Sequence, residues 1–175
     1  VHDPRLVWNT FDIVEQYQGI AVQSKSGHAF IKDVMREHNA VYGGEMSAHH
    51  YFRDFAYCDS GMIPWLLTIA LLSETEQSLS TLVENMIAKF PCSGEINFKV
   101  ADTQATVQKI FDHYADQNPL VDRTDGVSLD FGAWRLNVRA SNTEPLLRLN
   151  IESRADKNPQ PMQNYVDELT DLIQG

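Results

Sequence analysis

The chain has 175 residues, of which 43% are hydrophobic and 22% charged. That is one ordinary globular domain or two small ones, and it excludes wholesale disorder. The 24 acids against 14 bases give a net charge of −10, shared evenly by the two halves, which argues against a nucleic-acid binder while leaving room for one local anion site.

Leu6, Phe11, Ile13, Val14 and Tyr17 recur at helical spacing, and Gly19 supplies a stop. Ile20–Gln23 reads as a short strand, Lys25-Ser26-Gly27-His28 as a turn, and Ala29–His38 as a second helix. Ala40-Val41-Tyr42 is a strand running into Gly43-Gly44. A loop rich in His and aromatics follows, and then a helix over Gly61–Ser73 whose Pro64 is tolerated in its first turn. The alternation of strands and helices predicts a parallel sheet covered by helices. The longest apolar run, 63–72, is too short to span a bilayer.

Beyond the polar stretch 74–80 the pattern changes. Leu82–Phe90 is a helix that Pro91 stops, Glu95–Val100 alternates as a strand, and Asp102 caps a helix through Tyr114. Three short strands follow over 127–131, 134–139 and 146–151, with a hairpin turn at Gly132-Ala133, and Met162–Ile173 closes as an amphipathic helix. The fold class expected is α/β plus α+β: a partial three-layer α/β domain with a parallel sheet over 1–76, then a smaller α+β domain with an antiparallel sheet over 77–175.

Cys58 and Cys92 are isolated, without CxxC spacing, and suit a reducing compartment. The chain opens on Val1-His2-Asp3-Pro4 with no signal peptide, so it reads as an excised piece of a cytoplasmic protein.

Three loops carry candidate chemistry. Arg139-Ala140-Ser141-Asn142-Thr143-Glu144-Pro145 combines a guanidinium fork with short donors on a tight turn, the equipment of a phosphate site. Ser-Asn-Thr also makes plain β-turns. Gly43-Gly44-Glu45-Met46-Ser47 ends a strand where α/β sheets bind ligands, and a carboxylate two residues from a hydroxyl suits adjacent sugar hydroxyls. Glu45 is equally readable as a solvated loop acid. Lys25-Ser26-Gly27-His28 could bring Lys25 or His28 to an anion at a helix start. A zinc reading of His49, His50, Cys58 and Asp59 is set aside, because adjacent histidines on an extended segment point to opposite faces and no second ligand pair has metal spacing.

Gly44-Glu45-Met46-Ser47 and Arg139-Ala140-Ser141-Asn142-Thr143-Glu144-Pro145, in that order and with Lys25-Ser26-Gly27-His28 upstream, resemble the α-D-phosphohexomutase superfamily. The segment running on through Ala48-His49-His50-Tyr51-Phe52 to Cys58-Asp59-Ser60-Gly61 is most similar to its bacterial phosphomannomutase members. The resemblance implies four domains around a cleft: a phosphoserine domain, an Asp-rich metal-loop domain, a sugar-loop domain and a phosphate-loop domain, the last built like the TATA-box-binding protein. Glu45 and Ser47 would then contact hexose hydroxyls, and His28 would lie near the sugar. Arg5 would stand where the family often has a lysine, although the two are not equivalent. Arg139, Ser141, Asn142 and Thr143 would hold the nonreacting phosphate.

No Asp-x-Asp-Gly-Asp-Arg metal loop and no family phosphoserine motif occurs in the 175 residues. The resemblance therefore implies the end of domain 3 plus domain 4, with no catalytic or metal residue in this chain and the missing N-terminal domains as its partner. The parent would interconvert mannose 6-phosphate and mannose 1-phosphate through a phosphoserine, with Mg²⁺ and a hexose 1,6-bisphosphate intermediate, and the fragment alone would be inactive. A phosphoglucomutase or dual-specificity enzyme, and a standalone phosphosugar-binding module, remain as alternatives. Neither a membrane nor a nucleic acid is an expected partner.

Overall fold

His2 lies between two extended segments and bridges both in parallel, Gln23 on one side and Gly44 on the other. The computed structural model describes residues 1–141, 144–158 and 160–175. It divides into two units, Val1–Ala88 and Lys89–Gly175. The sequence reading places the change at 76/77, ahead of the helix that the structure groups with the first unit.

The first unit begins with α1 (Trp8–Gln16) and α2 (His28–Glu37). The predicted strand at 20–23 is reduced to the single bridge at Gln23, so among the described residues the parallel pairing is the pair of bridges at His2. The chain then forms an antiparallel meander of β1 (Tyr42–Gly44), β2 (His50–Phe52) and β3 (Cys58–Asp59), in the order β1-β2-β3. The aromatic segment read from sequence as a loop is thus sheet, because Tyr51 has to go inward: with Ile31 and Met35 of α2 it forms the unit's fully buried cluster. Next come α3 (Met62–Thr75) and α4 (Leu79–Lys89). No residue of α3 is buried, and Trp65, Leu66, Leu67 and Leu71 are exposed; a helix apolar all round is ordinarily an interior one.

The second unit is a five-stranded antiparallel sheet of β4 (Cys92–Phe98), β5 (Leu120–Asp122), β6 (Val127–Asp130), β7 (Trp134–Ala140) and β8 (Leu147–Ser153), in the order β4-β8-β7-β6-β5. Helices α5 (Thr103–Tyr114) and α6 (Met162–Gln174) pack on its apolar face. Asp102 caps α5 as expected, accepting from the N–H groups of Gln104 and Ala105. Leu129, Leu136, Leu149, Ile151, Ile110 and Leu169 are fully buried between sheet and helices. Truncating one of them to Ala would cost about 2–5 kcal/mol. Trp134 stacks on Tyr165 with ring centroids 4.3 Å apart. The edge strand β5 escapes the sequence reading because Leu120 and Val121 both face solvent, which leaves no alternation to read.

The opposite face of this sheet is polar and still buried. Ser128, Arg135, Asn137, Arg139, Asn150 and Glu152 are each less than 5% exposed. Arg135 pairs with Glu152 at 2.7 Å, Asn137 donates to Ser128 Oγ and to the Asp125 carbonyl, and Asn150 donates to the Gly94 carbonyl. Bonds of this kind offset much of the cost of burying polar groups. Among the described residues no helix is long and apolar enough to cross a membrane. Both cysteines are exposed free thiols.

Candidate functional site

At the end of β1 the chain turns back through Glu45–Ala48, closed by the Ala48 N–H donating to the Glu45 carbonyl at 2.9 Å. The Glu45 side chain points inward and is 4% exposed. Its Oε1 accepts from the Tyr51 hydroxyl at 2.6 Å and its Oε2 from the Gly27 N–H at 2.8 Å. Burial, and then the hydrogen bond to Glu45, push the Tyr51 hydroxyl far above its ordinary pKa. Glu45, which the sequence reading assigns to sugar hydroxyls, therefore also ties the turn to the start of α2 as a buried brace. Gly27 holds φ 119°, a conformation that favours glycine, which aims its N–H at the carboxylate.

Arg5 is buried beside this turn. Its guanidinium pairs with Asp3 at 2.5 Å, reaches Ser47 Oγ at 3.4 Å and lies 4.0 Å from Glu45 Oε2. Asp3 also accepts from the N–H groups of Arg5 and Met46. Burial works against the charge on Asp3, but these contacts outweigh it and hold the carboxyl below its usual range. Arg5 thus contacts Glu45 and Ser47, three residues that the sequence reading assigns to the sugar, and Asp3, which that reading gives no role, bonds Arg5 and the Met46 N–H. Ser47 itself is exposed at the surface of the turn.

His28, the first residue of α2, stands over the same meander. Its ring meets His49 at 4.5 Å and Tyr51 at 5.2 Å between centroids. Asp59 lies opposite Tyr51 in the β2–β3 register and accepts from His49 Nδ1 at 2.8 Å and from the His50 N–H at 2.9 Å. Burial disfavours its charge, and the His49 and His50 hydrogen bonds with His28 nearby overcome that, so its carboxyl titrates below the usual range. His50 turns the other way, to the Tyr42 hydroxyl. A smaller cavity of about 210 Å³ opens beside Asp3, Glu45 and Met46. The larger one, about 540 Å³, is lined mostly by apolar side chains such as Val14, Tyr17, Ile20 and Val41, and shares His2, Asn9, Thr10 and Tyr42 with the smaller.

In the second unit Arg139 sits near the end of β7, 5% exposed at its side chain, directly across the ladder from Arg148 of β8. Like charges placed opposite each other cost stability. Glu95 of β4 answers both: Arg139 Nη2 lies 3.5 Å from its Oε2 and Arg148 Nη1 3.6 Å from its Oε1. Arg148 also donates to Glu144 at 3.2 Å. The Nε atoms of Arg139 and Arg148 are buried and meet no acceptor among the described residues. Ser141 closes the connection by donating its N–H to the Leu146 carbonyl. Asn142 and Thr143, the other two residues expected to hold phosphate, lie outside the described residues. Gly126, with φ 71°, passes against this hairpin where a Cβ would lie 2.3 Å from the Val138 carbonyl and 2.5 Å from Arg139 Cβ. The sequence reading missed Arg148 and Glu95. Pairing Ser141 with Leu146 as a hairpin would have placed Arg148 opposite Arg139, whereas Glu95 comes from a strand distant in sequence.

Residues 1–90 match the family model described as phosphoglucomutase/phosphomannomutase, alpha/beta/alpha domain III, and residues 95–169 match phosphoglucomutase/phosphomannomutase, C-terminal domain. Similar curated proteins include the "Phosphohexose mutases" of Xanthomonas campestris pv. campestris strain B100, 61% identical over 175 residues and covered to 39% of their length by the whole of this chain. The phosphomannomutase of Vibrio cholerae is 56% identical over 174 residues, which are 99% of this chain and 37% of that protein. That of Escherichia coli K12 is 56% identical over 156 residues, 89% of this chain and 34% of that protein. A crystal structure of a phosphoglucomutase/phosphomannomutase family protein from Burkholderia thailandensis superposes with a TM-score of 0.75 at 21% identity, over 99% of this chain and 36% of that one. The chain thus spans about two-fifths or less of the curated relatives it matches.

Proposed function

We propose, since the chain belongs to the phosphoglucomutase/phosphomannomutase family, that it is the substrate-gripping part of an enzyme interconverting mannose 6-phosphate and mannose 1-phosphate. The observation that carries this reading is the arginine pair: Arg139 and Arg148 face each other, share one carboxylate and keep buried Nε donors unspent. A phosphate can accept what the carboxylate leaves. Asn142 and Thr143 would add their donors to that grip.

The sugar would lie against the Glu45–Ala48 turn. Ser47, held toward Arg5, offers a hydroxyl; Glu45 fixes the turn's shape. His49 bonds Asp59 through Nδ1, and its Nε2 is the ring nitrogen outside that pair. That is the equipment of a general base for the attacking sugar hydroxyl. Mg²⁺ and a phosphoserine would supply the transferable phosphoryl group from residues outside this chain, by metal-assisted phosphoryl transfer with a hexose 1,6-bisphosphate as intermediate. The chain's small share of its relatives' length and the exposed apolar surface of α3 support a role alongside further domains of the same protein.

A dual-specificity reading is favoured by the relative named "Phosphohexose mutases". NMR titration with mannose 1-phosphate and glucose 1-phosphate, beside a coupled assay for turnover, tests both readings. Millimolar binding that shifts Arg139 and Ser141, without turnover by the chain alone, is the expected outcome. Metal-dependent turnover by the isolated chain would sink the division of labour, and shifts confined elsewhere would sink the site.

A further inference from the structure

Three rows of side chains cross the β7–β8 ladder on the polar face of the second sheet: Arg135 opposite Glu152, Asn137 opposite Asn150, and Arg139 opposite Arg148. Alternation along each strand puts all six on one face. The middle row is 0% exposed and stands directly beside the arginine pair. Each asparagine donates to a backbone carbonyl in a segment that flanks those arginines. Asn137 Nδ2 donates to the Asp125 carbonyl and to Ser128 Oγ, both at 3.0 Å. The residue after Asp125 is Gly126, which lies so close to β7 that a Cβ on it would be 2.8 Å from Arg139 Cα. The turn that Asn137 holds is therefore one wall of the Arg139 side chain. On the β8 side, Asn150 Nδ2 donates to the Gly94 carbonyl at 3.1 Å. Gly94 has φ 69° and sits where the β4–β8 register shifts, between Cys92 and Glu95. Glu95 follows it, pairs with Asn150 in that register, and reaches both guanidinium groups. Asn137 Oδ1 is buried and meets no donor among the described residues, a burial cost that points beyond holding the sheet together.

We propose that Asn137 and Asn150 are positioning residues of the phosphate grip, an inference that rests on the reading of Arg139 and Arg148 as that grip. Being fully buried, neither asparagine touches the ligand. They fix the two backbone segments between which the arginine forks are held, so an entering anion meets groups already aimed. Side chains that need not be ordered on binding cost less affinity, and a site of this kind depends on its supports being locked.

The test is titration of the 175-residue chain with inorganic phosphate, followed by NMR of the Arg139 Nε–H and the backbone amides. Asn137→Val and Asn150→Val remove the donors and keep a residue suited to a strand. Each should weaken phosphate binding by about tenfold, within the coupling measured between groups that share a network. In the ligand-free chain, each should also make the Arg139 Nε–H proton exchange with water faster than in the parent. Ile110→Val trims a fully buried side chain on the apolar side of the sheet, so it should lower thermal stability and leave both readouts unchanged. If the asparagine variants behave like Ile110→Val, their role is confined to the sheet and the proposal is overturned. Where Asn137→Val does not fold, Asn137→Thr replaces it. Its hydroxyl suits Ser128 across the ladder but is one atom shorter than the amide that reaches the Asp125 carbonyl, so phosphate binding should still fall. Parent-like binding by Asn137→Thr overturns the proposal as well. A parent chain that binds no phosphate would sink the reading of the arginine pair, and the ligand-free exchange of Arg139 then decides the positioning role by itself.

Discussion

The Gly27 N–H donates to Glu45 Oε2 at 2.8 Å and so clips the start of α2 to a turn 18 residues away in sequence. The other oxygen of the same carboxylate takes the buried Tyr51 hydroxyl. Glu45→Ala strands both donors, and at roughly 1–3 kcal/mol for each unsatisfied group the first unit should lose roughly 2–6 kcal/mol. Glu45→Gln keeps an acceptor for one donor and should cost less. Urea unfolding followed by circular dichroism checks this. A Glu45→Ala midpoint equal to that of the parent would show that the carboxylate does not brace the turn.

Asp3 makes the same region sensitive to acid. Burial alone would raise its pKa, but the Arg5 guanidinium and two backbone N–H groups hold it below the ordinary carboxylate range. The unfolded chain therefore binds a proton at a pH where the folded chain does not, and stability rises with pH through that window. The contribution is complete above the unfolded pKa and is lost as pH falls through the folded one. Asp3→Asn should lower stability at neutral pH and flatten the acid limb, as measured by thermal melts between about pH 2 and 6. An unchanged slope would mean that Asp3 is not coupled to folding.

Helix starts and hairpin turns are readable wherever a local signal is strong: Asp102 at α5, Pro64 in the first turn of α3, and Gly132-Ala133 between β6 and β7. What the sequence hides is long-range register. The β1–β2–β3 meander depends on Tyr51 finding Ile31 and Met35 on α2, and no spacing within 40–60 encodes that partner. The same holds for the sites. Arg5, Glu45, Ser47 and Arg139 are visible as loop residues of suggestive chemistry, but the direction Glu45 faces is set by Gly27 and Tyr51. His28 meets Asp59, and Glu95 meets Arg139, only after distant elements pack.

Gly126 is a backbone requirement of the polar sheet face. At φ 71° any other residue except Asn or Asp is strained, and an added methyl would meet the Val138 carbonyl and the Arg139 backbone. Neither neighbour is a flexible side chain that can swing away. Gly126→Ala should therefore destabilise the second unit by more than about 1–3 kcal/mol, the cost of the strain alone. Amide shifts around Val138 and Arg139 in a heteronuclear spectrum should move more than those of α6. A variant as stable as the parent would mean that the 123–126 turn is free to re-form elsewhere.

Arg139 and Arg148 give the sharpest test of the phosphate site, because Glu95 acts on them in the opposite sense. In the ligand-free chain the carboxylate offsets two guanidinium groups that would otherwise repel across the ladder. A phosphate entering the same place competes with Glu95 for both, so part of its attraction is spent on displacing an existing partner. Glu95→Gln removes that competitor and keeps the shape. It should tighten mannose 1-phosphate binding severalfold, while lowering thermal stability because the arginines lose their counter-charge. Arg148→Gln should weaken binding and relieve the repulsion, so affinity and stability move in opposite directions for each variant. Arg139→Ala should abolish detectable binding, since losing one partner of a desolvated charge pair costs roughly 2–5 kcal/mol. Arg139→Lys should restore only part, because a point charge replaces a bidentate fork. The measurement is chemical-shift titration with mannose 1-phosphate, paired with thermal melts of the same samples. If Arg148→Gln titrates like the parent, the second arginine serves the sheet alone. If Glu95→Gln binds more weakly, the carboxylate positions Arg139 for the ligand instead of competing with it.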